Sequence, residues 1–270
     1  MNKSDPIQRQ AAILSLLARE SRLSAQRLAE TLAVSVQTIR TDLRGLAEEG
    51  RIRRRHGMAE GLTPSENISH QQRRAHGHAE KARIAQAVAR LVPEGASIAL
   101  GAGSTVAACA QALAGHRGLR VFTNDIHVVM ALREAPDIRI SLAGGEMRLR
   151  DLDFIGAESS EFFAKIRADI AIFSAGGVAE HGGLLDYDMN EIRARRAITA
   201  CARRPVLVLD SSKFAACATY VDGRLSQIDT IVTAVPLPEL LQEGCRAAGR
   251  QLIVANSCPP SRQAAPARSG

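Results

Sequence analysis

From residue 79 onward the chain alternates between stretches of helical period and short runs that are apolar throughout. The apolar runs are "SIAL" (97–100), "LRVFT" (119–123), "IRISLA" (138–143), "DIAIFS" (169–174), "PVLVLD" (205–210), "DTIVTA" (229–234) and "QLIVA" (251–255). Helical spacing fills 80–92, 105–114, 125–135, 188–202 and 237–248 between them. A strand with one wet face alternates polar and apolar positions, whereas a strand covered on both faces reads as one continuous apolar run. The pattern therefore predicts an α/β unit with a mostly parallel sheet between two helical layers, and ligands of such sheets bind beyond the carboxyl ends of the strands. The first sixty residues read differently. Ile7, Ala11, Leu14 and Leu17 keep helical spacing. Ser24 then stands as an N-cap before a short helix over 25–32 that buries Leu28 and Leu32. Ser35 caps a third helix whose Val36, Ile39, Leu43 and Leu46 form one stripe, ended by Gly50. Two helices joined by a three-residue turn make a helix-turn-helix.

The opposite face of the third helix carries Gln37, Thr38, Arg40, Thr41 and Arg44, with Ser35 at its start. Arg bridges guanine acceptors bidentately, Gln pairs with adenine and Thr donates to phosphate, so these types suit a major groove; the alternative is a plain solvent-facing surface. The sequel favours the groove. "GRIRRRHGMAE" (50–60) is a short extended stretch in which Arg51, Arg53, Arg54, Arg55 and His56 can lie along a phosphate backbone as a wing. Charge agrees, because residues 1–60 hold eleven Lys and Arg against seven Asp and Glu in a chain of net charge +7. The partner expected for this unit is double-stranded DNA.

Composition narrows the class without adding chemistry. Hydrophobic residues at 46% and charged residues at 23% suit a globular chain rather than a fibrous or disordered one. No apolar run approaches the ~20 residues of a membrane span, and "MNKSDPIQRQ" lacks the apolar segment of a signal peptide, so a cytoplasmic protein is expected. Cys109, Cys201, Cys217, Cys245 and Cys258 are scattered and odd in number, which argues against a disulfide framework or a zinc site and for small core residues. Residues 59–78, "AEGLTPSENISHQQRRAHGH", show no sustained period; they read as a linker in which His70, His76 and His78 are solvated. The tail "NSCPPSRQAAPARSG" (256–270) reads as disordered. The expected organisation is a winged helix-turn-helix over 1–58, the linker, a sensing α/β domain over 79–255 and the tail.

Candidate chemistry gathers after the strands. Gly101, Gly103, Ser104 and Thr105 follow the first; Asn124 and Asp125 the second; Gly144, Gly145 and Glu146 the third, in "GGEMRLRD" (144–151); Gly176 lies in "AGG" (175–177), and Lys213 in "DSSKF" (210–214). Glycines let backbone N–H groups approach an anion, and a helix starting at Ser104 adds unpaired donors and a positive dipole end. "GAGSTV" lacks the G-K-[ST] of a nucleotide phosphate loop and has Val106 where a dinucleotide loop has its third glycine. Alone, the loop suits a tight turn as well as a small phosphorylated ligand; four further decorated strand ends favour the ligand.

"VSVQTIRTDLRGLAEEGRIRRRHGMA" (34–59) resembles the winged helix-turn-helix signature of the DeoR family of bacterial repressors, with Thr41 replacing an arginine and Met58 a glycine. "GAGST", "TND", "LAGGEMR", "FIGAES", "GGLLDYDMNEIRARRAI" and "VLDSSKF" resemble that family's sensor domain, whose fold is similar to ribose-5-phosphate isomerase and coenzyme A transferases. Within the family, "LAGGEMRLRD" and "LLDYDMNEIRARRAI" are similar to the branch that responds to glycerol 3-phosphate, with Arg195 where lysine is usual. The resemblance implies a repressor released from its operator by a small phosphorylated inducer, either glycerol 3-phosphate or another sugar phosphate. It also implies Ser104 and Thr105 at the phosphate, Lys213 and Arg195 adding positive charge, and Asn124, Asp186 and Glu191 facing polyol hydroxyls. A solvent-facing Arg195 and a structural Asp210–Lys213 pair are the alternatives.

Isomerases of this sort of fold use a carboxylate to move a proton beside a carbonyl. Glu146, Asp186 or Glu191 has the chemistry for it, but sixty residues that read DNA have no place in an isomerase. The expectation is a regulator rather than an enzyme, without metal or cofactor, acting as a homo-oligomer, dimer or tetramer, that presents paired helices to successive major grooves.

Overall fold

The computed structural model describes residues 6–20, 22–48, 52–55, 57–61, 69–216 and 218–255 of the 270. The first unit comprises α1 (Pro6–Arg19), β1 (Arg22–Ser24), α2 (Ala25–Leu32), α3 (Val36–Glu48), β2 (Ile52–Arg55) and β3 (Met58–Gly61). Ile13, Leu17, Leu28, Ile39, Leu43 and Leu46 pack into one core, with Ile52 and Ala59 added from the sheet. Among the described side chains of α1, Ile13 and Leu17 are buried and Leu14 is partly buried, while those of Ile7 and Ala11 lie outside the description; Leu32 is likewise only partly buried. Ser24 caps α2 by accepting from the Arg27 N–H at 3.1 Å, and Ser35 caps α3 by accepting from the Thr38 N–H at 3.0 Å. Between the helices Ala33 is left-handed at φ 53°, and the Val34 N–H reaches back to the Ala29 carbonyl, which ends α2 sharply. A buried bidentate Arg9–Asp42 pair ties α1 to α3. The strands form an antiparallel sheet in the order β1-β3-β2. The wing is the β2–β3 hairpin, which turns at Gly57 and sets Arg53 opposite Glu60 and Arg55 opposite Met58. Gly50, Arg51 and His56 lie outside the described residues.

Next come α4 (His70–Ala75), α5 (His78–Ala89), β4 (Ser97–Leu100), α6 (Ser104–Leu113), β5 (Leu119–Thr123), α7 (Ile126–Leu132), β6 (Ile138–Leu142), β7 (Glu146–Arg148), β8 (Asp153–Ile155) and α8 (Ala157–Ala164). They are followed by β9 (Ala168–Phe173), β10 (Gly177–Val178), β11 (Gly183–Asp186), α9 (Met189–Ala200), β12 (Ala202–Leu209), β13 (Tyr220–Arg224), β14 (Thr230–Thr233), α10 (Glu239–Ala247) and β15 (Gln251–Val254). Seven strands pair in parallel in the order β15-β14-β12-β9-β4-β5-β6. Alternate residues of the central strands feed two cores. Ile98, Leu100, Ile172, Val206 and Val208 pack with Ile84, Val106 and Val128 of α5, α6 and α7. Ala99, Ala171, Phe173, Leu207 and Leu209 pack with Phe163, Ile198 and Leu241 of α8, α9 and α10. This two-sided burial is what the continuous apolar runs predict.

Of the expected linker, residues 62–68 lie outside the described residues, and the structure differs from the expectation on both sides of them. Ala59 is fully buried in β3, so the wing's sheet runs past residue 58. Ser69 and Gln72 form a capping box that starts α4, and within it His70 is buried rather than solvated. The short antiparallel pairs β7–β8 and β10–β11–β13 are also new, because runs of two to five residues are too short to show a period. Cys109, Cys201 and Cys245 are buried free thiols; Cys217, Cys258 and the tail 256–270 lie outside the described residues. Among the described residues no helix is long and apolar enough to cross a membrane.

Candidate functional site

The chain leaves β4 for β5 and β6 on one side and later lays β9, β12, β14 and β15 on the other, so the loops that follow β4 and β9 diverge. Open parallel sheets bind ligands in the crevice that such a reversal creates. A cavity of about 90 Å³ lies there. At ~10–15 Å³ per water, this is room for roughly six to nine water-sized groups.

The loop after β4 forms one wall. The Gly101 N–H extends the sheet by donating to the Ile172 carbonyl at 3.0 Å. Gly103, at φ 133°, is the N-cap of α6 and brings no capping side chain, whereas Asp125 and Asp188 cap α7 and α9. The mouth of α6 thus opens onto the cavity uncapped, with Ser104 and Thr105 on its rim. Thr105 Oγ1 donates to Asp210 at 3.0 Å, which holds that end of the helix over the end of β12. Asn124 donates to the Phe154 carbonyl at 2.8 Å, while its Oδ1 is buried without a partner. On the opposite wall Gly176 has no room for a side chain, since a Cβ would stand 2.9 Å from the Leu185 carbonyl oxygen.

Four cations and four carboxylates line the space. Arg148 holds both Asp153 and Glu191, Arg195 pairs with Asp186 at 2.9 Å, and Arg73 donates to Asp151 at 2.9 Å. Asp186 also accepts from the Gly176 N–H, and Glu191 from the Tyr187 N–H. Asp186 and Glu191, which the resemblance turns toward polyol hydroxyls, are thus committed to protein donors. Arg195 is buried, unlike its neighbours Arg193 and Arg196. The leftover cation is Lys213. Among the described residues no carboxylate lies at ion-pair distance from it, although Asp210 still acts on it through space. Burial holds its ammonium below the ordinary lysine range against the pull of Asp210. Burial likewise pushes the Asp186 carboxyl up to about 6, although Arg195 draws it down. The Arg148 guanidinium, disfavoured by burial, is held protonated by Asp153 and Glu191.

Ten of the fourteen residues expected at the ligand line this cavity: Gly101, Gly103, Ser104, Thr105, Asn124, Gly176, Asp186, Glu191, Arg195 and Lys213. Asp125 sits behind the loop, taking the Gly103 N–H at 3.0 Å and the His127 N–H at 2.7 Å. Gly144, Gly145 and Glu146 are exposed and do not line it; from the same loop Arg148 and Asp151 do. The sequence reading missed these two, and also Asp153, His70 and Arg73. The S-x-x-Q box at Ser69 was the signal for the last pair, since a helix begun there places His70 and Arg73 one turn apart. His70 stacks flat on His127, ring centroids 3.6 Å apart. Burial and the His127 charge lower its pKa to about 3, so it is neutral at physiological pH.

In the first unit Gln37, Arg40, Thr41 and Arg44 form an exposed face opposite the buried Ile39, Leu43 and Leu46. Ser35 and Thr38 are committed to the α3 cap, where their hydroxyls are 2.8 Å apart. Arg53 and Arg54 are exposed on β2, and Arg55 ends it.

Asp125 gives this loop a pH signature. Burial raises its carboxyl from 3.8 to about 7, so the folded chain binds the proton more tightly than the unfolded chain. That contribution is complete below pH ~4 and is lost as pH rises through 7. Asp125→Asn stays neutral. In urea unfolding, its stability relative to the wild type should therefore rise steadily from pH ~4 to ~7.5; a difference that is constant across that range contradicts the assignment.

Comparisons with known proteins identify both units. Residues 9–64 match the family model described as DeoR-like helix-turn-helix domain, and residues 76–234 match the DeoR C terminal sensor domain. The glycerol-3-phosphate regulon repressor of Escherichia coli (strain K12) is 39% identical over 231 residues, which span 86% of this chain and 92% of that one. The repressor of the same name from Haemophilus influenzae is 36% identical over 248 residues, 92% and 96% of the two chains. Among solved structures, ribose 5-phosphate isomerase A of Methanocaldococcus jannaschii is similar with 20% identity and a TM-score of 0.36, over 50% of this chain and 53% of that one. Both family models describe parts of transcriptional regulators rather than enzymes, and together they take in the DNA-reading unit and the sheet with its cavity: the chain belongs to the DeoR family of helix-turn-helix transcriptional regulators.

Proposed function

We propose that this regulator represses transcription by holding an operator with α3 and the β2–β3 wing, and that it lets go when glycerol 3-phosphate occupies the cavity. The observation that carries the effector's charge is Lys213. Every guanidinium in the cavity is already matched by carboxylates, and the ammonium is left over beside an uncapped helix mouth. An anion seated on Ser104 and Thr105 satisfies both. The buried, unpartnered Asn124 Oδ1 suits a donating hydroxyl on the same molecule. Asp186, Glu191 and Arg195 shape the walls through their ion pairs instead of touching the hydroxyls. The choice of glycerol 3-phosphate draws on the names of the relatives in E. coli and H. influenzae and on a cavity too small for a nucleotide. No lining carboxylate is left over to serve as a base, which favours sensing over isomerisation. On the DNA side the protein acts as a homo-oligomer whose two-fold symmetry matches an inverted repeat with half-sites about one helical turn, ~34–36 Å, or a multiple apart.

Titration calorimetry tests the effector. Glycerol 3-phosphate should bind, free glycerol should give no measurable heat at the same concentrations, and Lys213→Gln should weaken the phosphate ester ~10- to 100-fold. Equal binding of glycerol and its phosphate contradicts the proposal, and preference for a larger sugar phosphate replaces the ligand.

The DNA face makes a separable prediction. Arg53→Ala should weaken operator and random DNA alike and lower the slope of log affinity against log salt by ~0.9. Arg40→Ala should instead cost ~1–3 kcal/mol on the operator and relax base preference. Unchanged discrimination by the Arg40 variant, in competition binding, rules out α3 as the reading helix.

A further inference from the structure

His70, the first residue of α4, is 3% exposed although Gln71, Gln72 and Arg74 beside it face solvent. Its ring is set by its neighbours. It lies flat on His127, 6° from parallel, and the His127 N–H is taken by Asp125. The same carboxylate takes the Gly103 N–H at the N-cap of α6, so the stacked rings are held in register with the helix mouth. α4 also packs against α6. His70 and Ser104 are the two residues common to the cavity and to a groove of about 640 Å³ lined from outside by α5, α6 and α7. The imidazole and the first residue of α6 therefore stand together at the partition between the two spaces.

One atom of that ring is unused. Among the described residues the buried His70 Nε2 has no hydrogen-bond partner. An unpaired buried nitrogen costs stability, and stacking does not call for it, since a phenyl ring lies on His127 equally well and leaves no polar atom behind. Burial and the His127 charge lower the His70 pKa to about 3, so the ring is neutral at physiological pH, with one N–H and one lone pair to offer. A neutral donor complements Lys213: the ammonium supplies the charge that an anion at the α6 mouth requires, and the fixed imidazole supplies direction. We propose that His70 is an effector-binding residue whose Nε2–H donates to a phosphate oxygen of the molecule seated on Ser104 and Thr105. The inference rests on the phosphorylated-effector reading given above. It adds a side chain from α4, the described helix that follows β3, to a site otherwise built from the loops that follow the strands.

The full-length protein titrated with glycerol 3-phosphate tests this in three ways. In nitrogen NMR of wild-type protein labelled at histidine, the His70 Nε2 signal should move on saturation and should carry a proton in the complex. In calorimetry, His70→Phe, which keeps a flat ring for His127 and removes the unpaired nitrogen, should bind the ester ~10- to 100-fold more weakly. In phosphorus NMR, the second pKa of the bound phosphate should be higher in the His70→Phe complex than in the wild type, because a donor to the dianion has been removed. Should His70→Phe fail to fold, the wild-type nitrogen spectrum decides alone. A loaded wild type whose Nε2 signal stays in place overturns the inference, as does an affinity unchanged in His70→Phe. Weakened binding with a phosphate that titrates identically in both complexes moves the nitrogen to a hydroxyl and overturns it too. A wild type that takes up no glycerol 3-phosphate overturns the effector reading and this inference together, whereas the other outcomes overturn this inference alone.

Discussion

Charge matching inside a small cavity governs the sensor. A guanidinium or carboxylate taken out of water costs several kcal/mol unless a partner of opposite sign meets it with good geometry. Arg148, Arg195 and Arg73 meet that requirement through Asp153, Glu191, Asp186 and Asp151. The same pairs close the walls around the one ammonium they do not neutralise, that of Lys213. The result is a space whose polarity is largely consumed and whose remaining demands, the ammonium and the open end of α6, point to a small anion.

The fold puts these groups together for a reason that lies in strand order. Because β4 and β9 are neighbours in the sheet while their loops run to opposite sides, the α6 mouth and the Gly176 loop face each other across a gap. Small residues are needed where the walls come closest, hence Gly176 against the Leu185 carbonyl. Asp125 and Asp210, both buried, brace the β4 loop from behind through Gly103 and Thr105. Loops from several strands line that gap, and so do His70 and Arg73 of α4. Regulators need such a shared surface, since an effector changes an equilibrium only by its differential affinity for the two arrangements.

The sheet was legible because burial on both faces leaves an unbroken apolar run, and the helix-turn-helix because α3 separates Ile39, Leu43 and Leu46 from Gln37, Arg40 and Arg44 by helical period. The cavity was legible where a residue follows a strand directly, as at Gly103, Ser104, Thr105 and Asn124. It was illegible where pairing decides the role. Nothing in the order of residues says that Asp186 is taken by Arg195 or Glu191 by Arg148, since those partners meet only when β11, α9 and the β7 strand are packed. In "GGEMRLRD" the glycines drew attention, yet Arg148 and Asp151 reach the site, because the chain turns back into β8 after them. His70 and Arg73 were hidden by a helix of six residues, too short for a period to stand out against its polar surroundings.

Operator affinity measured as the cavity fills is the direct test of the link between the two units. Fluorescence anisotropy of labelled operator DNA at fixed ionic strength, titrated with glycerol 3-phosphate, should show affinity falling by roughly 5- to 150-fold at saturation, with free glycerol producing no change. Operator held equally firmly with and without the phosphate ester, by protein that calorimetry shows to be loaded, contradicts the account.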